Sequence, residues 1–458
     1  MRAEDAEPWW SSRALVAGVF AASVLSLLLP GTPTYDPFAW IIWGREITEG
    51  SLTTTLGPSW KPLPVAFTTV FSLFGDALAP SLWLIVARVG AIAALLSCWG
   101  LVRRLGGGIT GAAAATVALG LAPWWLMNVG LGNSEGLMVF FVLAAIERMV
   151  ADQHRSAFVL ACGAGLLRPE VWPFLAIYGL WLIWRRRRPI APVAVVAGGM
   201  FVLACWIVPE WIGSGEPFRA ASRARTDINP QAPTNADSPV FAVFGDAIEM
   251  LAIPVLLGLA AALWLALRRR APWFGGLLVV AFLWLLVVAA MTSGGFSGNQ
   301  RYLIVPVALL IVVSGAALGV LVSEFARGAD HRPFAVAAAV VFLIPSAGQL
   351  GETWDKVAYQ EQMTEALPSL IERAGGVDAI NTCGAVATGR FLVPQVAWYT
   401  HRHQHQVSQL SRSPGTVFVV HTTATSRWGP PGGAISARPV AVQKSWRVYQ
   451  RCEVGLVQ

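Results

Sequence analysis

The chain has 458 residues, of which 55% are hydrophobic and 13% charged, and its mean hydropathy is +0.58. That balance excludes an ordinary water-soluble domain and predicts an α-helical membrane protein, because backbone polar groups inside a bilayer must be bonded within the spanning segment. A formal net charge of +7 would suit a nucleic-acid binder, but the basic residues fall in short bursts between apolar runs; they set topology, and no nucleic-acid partner is expected.

The first ten residues carry Glu4, Asp5 and Glu7 against one Arg2, and the apolar run at 14–30 lacks a small-residue cleavage site. It reads as a retained first helix rather than a signal peptide. Further apolar runs follow at 81–102, 109–126, 136–151, 156–167, 171–184, 190–208, 246–267, 273–291, 302–322 and 333–349, which makes about eleven candidate spans. Tryptophans gather near their ends, as at Trp9, Trp10, Trp124, Trp125, Trp181 and Trp184, in the manner of interfacial anchors.

Five basic clusters alternate with these runs: Arg103 and Arg104; Arg148 with His154 and Arg155; Arg185 to Arg188; Arg268 to Arg270; and Arg327 with His331 and Arg332. Placing all five inside puts the N-terminus inside and leaves loops 31–80 and 209–245 and the tail 350–458 outside. The topology then requires 63–74 to be a re-entrant or interfacial helix, and 156–184 to be a hairpin broken near Leu167-Arg168-Pro169-Glu170. Residues 1–349 are thus expected to form a transmembrane domain and 350–458 a small extracytoplasmic α/β domain. In that tail an amphipathic helix at 354–374 precedes strand-like stretches at 416–421 and 441–449. Cys383 and Cys452 share the tail and could pair there or stand as two free thiols, whereas Cys98, Cys162 and Cys205 lie in apolar runs.

Charges at membrane depth cost roughly 2.5–3.5 kcal/mol each, so those near the bilayer require a reason. Here they converge on the outer rim: Tyr35, Asp36 and Glu46 in the first loop, Trp60-Lys61 later in it, Glu135, then Arg168 and Glu170, then Arg301-Tyr302. Asp36 could deprotonate a hydroxyl or hold a metal, and Lys61, Arg168 and Arg301 could neutralise a phosphate. Each residue also has a plainer reading. Asp36 and Glu135 could cap helices, Lys61 and Arg301 could snorkel to the interface, and Arg168 could simply pair with Glu170. The alternating histidines of His401-Arg402-His403-Gln404-His405 favour a solvated strand edge over a metal site. Gly106-Gly107-Gly108 lacks the Lys and hydroxyl of a phosphate loop and reads as a tight turn.

Thr34-Tyr35-Asp36-Pro37 after the first span, Lys61-Pro62-Leu63-Pro64 opening a short apolar helix, Phe74-Gly75, Arg88, Glu135 and Arg301-Tyr302 together resemble the C-type (GT-C) glycosyltransferase superfamily. This superfamily includes the protein O-mannosyltransferases and the lipid A aminoarabinose transferases, and the resemblance covers about residues 10–325. The chain departs from the pattern where Pro37, not a second acid, follows Asp36, and where the second proline of the Lys element is displaced by one residue. The resemblance implies transfer of a sugar, with inversion, from a polyprenyl-phosphate donor in the lipid to an extracytoplasmic acceptor (a cell-envelope glycan, lipid or protein); the five inner basic clusters, with a Cys383–Cys452 pairing, would place it at the cytoplasmic membrane of a bacterium. Asp36 would be the base, Glu135 would aid substrate binding, and Lys61, Arg168, Arg301 and Tyr302 would hold the phosphate. A divalent metal ion, if used, would sit on Asp36 and Glu135. A lipid or small-molecule transporter would instead line a path at several depths, and an assembly protein would not need so many spans.

Overall fold

The structure, a computed structural model, describes residues 7–185, 189–226, 231–268, 271–420 and 438–452. Arg186 to Arg188, Arg269, Arg270 and His421 lie outside the described residues. In chain order the helices are α1 Arg13–Leu25, α2 Tyr35–Thr48, α3 Pro62–Ser72, α4 Ala79–Arg104, α5 Gly108–Gly120, α6 Pro123–Gly130, α7 Glu135–Val150, α8 His154–Gly165 and α9 Trp172–Trp184. They continue with α10 Pro192–Ser214, α11 Arg219–Arg223, α12 Pro239–Glu249, α13 Ile253–Arg268, α14 Pro272–Ser293, α15 Ile304–Phe325, α16 Arg332–Arg373, α17 Gly376–Cys383 and α18 Val393–Tyr399. Prolines open many of them, α3, α6, α10, α12 and α14 included, where a missing N–H costs nothing and the fixed φ favours the first turn.

Every expected apolar run is helical, but the helices are not equally long. Among the described residues, five helices (α4, α10, α14, α15 and α16) are long and apolar enough to cross a bilayer, and seven if the bent pairs α5–α6 (58°) and α12–α13 (104°) each make one span. The runs expected at 14–30, 136–151, 156–167 and 171–184 form helices of 13, 16, 12 and 13 residues, short of the roughly 20 that a straight crossing needs. The apolar helix expected at 63–74 forms as α3, and the break expected near Arg168 separates α8 from α9.

The bundle core is built on α4, α5, α7 and α15, where small residues bring helix axes close; a Cβ at Gly136 would come within 2.8 Å of the Ala91 backbone nitrogen. That contact locks the first turn of α7 to α4. Helix α2 is buried from Pro37 to Glu46 beneath α3, α4 and α18.

Helix α16 runs unbroken for 42 residues, through the expected domain boundary at 349, and its second half is the amphipathic helix expected at 354–374. The tail then forms a five-stranded sheet of order β2-β1-β3-β5-β4, with β1 Ala385–Thr388, β2 Val407–Ser408, β3 Gly415–Val420, β4 Ala441–Gln443 and β5 Trp446–Arg451. Strand β1 pairs parallel with β2 and β3, and β5 pairs antiparallel with β3 and β4. The stretch expected at 441–449 is thus a hairpin, turning at Lys444, whose φ is 51°. Cys383 and Cys452 are joined in a disulfide between the end of α17 and the residue after β5.

The expected strand edge at 401–405 is not found. These residues form a turn and a short 3-10 helix, because the histidines are drawn to carboxylates on the bundle: His403 Nδ1 lies 2.7 Å from Glu46 Oε1 and His401 Nδ1 lies 3.3 Å from Asp76 Oδ2.

Candidate active site

Loops at one end of the bundle, the end that α18 and the tail cover, bring five elements together. Glu135, the first residue of α7, is 1% exposed. Its Oε1 accepts from Arg168 Nη2 at 2.5 Å, from the turn before α9, and from Arg301 Nε at 2.9 Å, from the turn before α15. Arg301 continues to Asp36 Oδ2 through Nη1 at 2.9 Å, so one guanidinium bridges two acids that are 99 residues apart, 36 and 135 in the chain. Lys61, at the start of α3, donates to Ser134 Oγ at 3.0 Å and stands 4.9 Å from the centre of the Trp40 ring. Arg168 also faces Glu170 Oε1 at 3.6 Å and lies 4.7 Å over the Tyr302 ring.

The contacts of Glu135, Lys61 and Arg168 reach beyond capping, snorkelling and local pairing. Ser134 caps α7 in position but spends its hydroxyl on Lys61, and the Glu135 carboxylate goes to two arginines. Lys61 is 7% exposed, so it does not snorkel. Arg168 does meet Glu170, yet its shorter contact is to Glu135.

Three cations (Lys61, Arg168, Arg301) thus face three carboxylates (Asp36, Glu135, Glu170). Burying them together offsets a desolvation penalty that any one alone would carry in full. The arrangement is balanced but not saturated: among the described residues Glu135 Oε2, Glu170 Oε2 and Arg301 Nη2 are buried without a hydrogen-bond partner. Water or a ligand is the remedy for such atoms, and they do not by themselves mark a site, since Glu147 Oε2 and Arg148 Nε elsewhere in the bundle are in the same state. Arg301 and Asp36 are the open side, with side chains 30% and 17% exposed. Burial, then the charge of Arg168, pushes the Lys61 ammonium down to about 7, against the opposing pull of Glu135.

A divalent metal does not fit these side chains as they stand. Arg301 occupies the bridge between Asp36 and Glu135, three cations surround it, and the described residues hold no group of three or more His, Cys, Asp or Glu side chains suited to a metal.

Three of the expected cavity residues face elsewhere. Glu46 lies on α2, ten residues beyond Asp36, and accepts from Thr53 N at 3.0 Å as well as meeting His403. Tyr35 receives Arg223 Nη2 at 3.5 Å and packs edge-on against Phe391. Trp60 backs Lys61 from behind, its indole donating to the Cys205 carbonyl at 3.1 Å and its ring 5.4 Å from that of Trp43.

A second buried pair escaped the sequence reading. Glu210 on α10, fully buried, accepts from Trp60 N at 3.2 Å and from Arg219 at 3.3 Å, while Arg219 also donates to the carbonyls of Gly57 and Pro58. It staples the loop that carries Lys61. A lone glutamate inside the apolar run Ile207-Val208-Pro209-Glu210-Trp211 was the available signal.

A helical bundle with short loop helices at one end, a polar cluster among them and a small α/β tail over that end define the class: a polytopic helical membrane fold. Two solved structures share it, both of ArnT from Cupriavidus metallidurans. The form bound to undecaprenyl phosphate superposes with a TM-score of 0.58 at 15% identity, over 95% of this chain and 97% of that one. The apo form gives 0.52 at 17% identity, over 87% and 86%. Neither a protein-family model nor a curated protein sequence matches the chain, so the likeness is one of fold.

Proposed function

We propose that this chain is a membrane glycosyltransferase that moves a sugar from a polyprenyl-phosphate donor to a hydroxyl of an extracytoplasmic acceptor. The observation that carries the reading is the Asp36–Arg301–Glu135–Arg168 chain, with Lys61 beside it and its open side at Asp36. An acid next to clustered cations is what the reaction needs. The acceptor oxygen forms a bond to the anomeric carbon and gives its proton to Asp36. The bond from that carbon to the phosphate oxygen breaks, and the electron pair leaves on the polyprenyl phosphate. Arg301 Nη2, Arg168 and Lys61 stabilise the charge that gathers there.

Glu135 and Glu170 hold the arginines in place rather than take part in proton transfer: both are buried, whereas Asp36, although it too pairs with Arg301, stands on the open side where an acceptor can reach it. The two ArnT structures support the reading by fold, one of them with undecaprenyl phosphate bound. The five basic clusters favour a cytoplasmic-membrane location with this end of the bundle and the tail outside.

The test is transfer of labelled sugar from a panel of synthetic polyprenyl-phosphate sugars by the purified protein in lipid nanodiscs, beside Asp36→Asn. Removal of a general base lowers turnover by about 10²–10⁴. Wild-type transfer that collapses in the variant supports the reading; equal transfer by both overturns the role of Asp36.

A further inference from the structure

Asp36 is placed by the short segment that joins α1 to α2, and that segment is held by two charged side chains the proposed chemistry does not use. Arg88, on α4 and 4% exposed, donates to the carbonyls of Ser26, Leu29 (3.3 Å) and Pro30 (3.2 Å), in and just after the turn that follows the first helix. Glu361, on the tail half of α16, accepts from the Gly31 backbone N–H at 3.2 Å and presents its charge to Arg88. A Cβ at Gly31 would displace the Arg88 guanidinium and press on the Gly130 carbonyl. The next residues are tied to α6 and the turn after it, Thr32 N to the Gly130 carbonyl at 2.9 Å and Thr34 Oγ1 to the Leu131 carbonyl at 3.4 Å. Thr34 then opens α2 by accepting from Phe38 N at 2.9 Å.

We propose that Arg88 and Glu361 are positioning residues that set Asp36 in register with Arg301, and that through Glu361 the tail half of α16 controls that register. The inference rests on the reading of Asp36 as the base. Neither residue touches Asp36. They act through the backbone of 29–34, and α2, buried along most of its length, passes a shift at its start directly to the Asp36 carboxylate. An ångström-scale misplacement of a reacting group costs on the order of 10²-fold.

The experiment uses the full chain in nanodiscs and compares Glu361→Ala, Glu361→Gln, Arg88→Lys and Asp36→Asn, and the double variant Asp36→Asn with Glu361→Ala. Glu361→Ala is expected to lower kcat by about 10- to 100-fold with donor KM held within about twofold. Glu361→Gln, which keeps an oxygen for Gly31 N, recovers most of that loss. Arg88→Lys falls between them, because lysine keeps the charge but gathers its donors on one nitrogen, whereas the forked guanidinium reaches the carbonyls from Nη1 and Nη2. In the Asp36→Asn background Glu361→Ala has no further effect, as expected of a residue acting only through Asp36.

If Asp36→Asn collapses while Glu361→Ala turns over normally, the positioning role is overturned and the base survives. Additive losses in the double variant also overturn it, since they would mean a general structural defect. If Asp36→Asn is as active as wild type, the base reading falls and the inference falls with it.

Discussion

The two ends of α7 each bury a charge cluster, and only one of them looks like a site. At the start, Glu135 gathers Arg168 and Arg301, and through Arg301 reaches Asp36. At the end, Glu147 Oε1 accepts from Arg148 at 2.7 Å with Arg104 at 3.7 Å, Arg148 also donates to Gln153 at 3.0 Å, and Trp10 covers Arg148 at 5.4 Å. In the second cluster the side chains are neighbours in sequence or at adjoining helix ends, and a tryptophan closes it. The first draws on residues up to 265 positions apart and keeps an open side at Asp36 and Arg301. Buried charge by itself therefore does not mark chemistry. What favours the first cluster as the proposed site is that several cations and acids from distant elements meet there on an accessible face.

The sharpest way to break this contrast is Arg301→Gln. It removes the bridge between Asp36 and Glu135 and a cation aimed at the leaving phosphate, and sugar transfer should fall by about 10²–10³. If transfer were nearly unchanged, the open cluster would be as structural as the closed one.

Next in size is Glu147→Gln, which leaves the Arg148 and Arg104 charges buried without their carboxylate. Loss of one partner from a buried pair costs about 3–5 kcal/mol, so the thermal midpoint in nanodiscs should drop. Turnover per folded molecule should stay at the wild-type value.

The smallest effect concerns pH. Lys61 sits near about 7 in the resting protein because burial and Arg168 disfavour its charge. A bound phosphate favours the ammonium and raises it again. Below pH 7 the lysine is already charged and donor affinity should be flat. Above pH 7 it must take up a proton on binding, so affinity should weaken by up to about tenfold per pH unit until the bound-state value is reached. Titration calorimetry in buffers of different ionisation enthalpy would show the proton uptake, and Lys61→Arg should flatten the profile.

In lipid every charge is an exception, so the residues of the candidate site were unusually legible. Asp36, Lys61, Glu135, Arg168 and Arg301 stood out because each interrupts or borders an apolar run. The helical runs and the short helix at 62–72 could be read for the same reason, since a bilayer tolerates no unbonded backbone and the apolar stretch marks its own ends. Residues whose surroundings are polar anyway gave no such contrast. Glu46 looked like part of the rim, yet it belongs to His403, 357 residues away. Arg104 and Arg148 read as topology charges, and their partner Glu147 drew no notice.

What the amino-acid order determined, then, was the membrane class, the helical runs and which side chains are anomalous, because hydropathy and charge act on contiguous residues. Tertiary structure alone decided which anomalies meet. It set Arg301 between Asp36 and Glu135, turned Glu46 away, ran α16 through the expected boundary at 349 and returned Glu361 to Gly31. Those contacts follow from how helices far apart in the chain pack against one another, and local pattern carries no record of that.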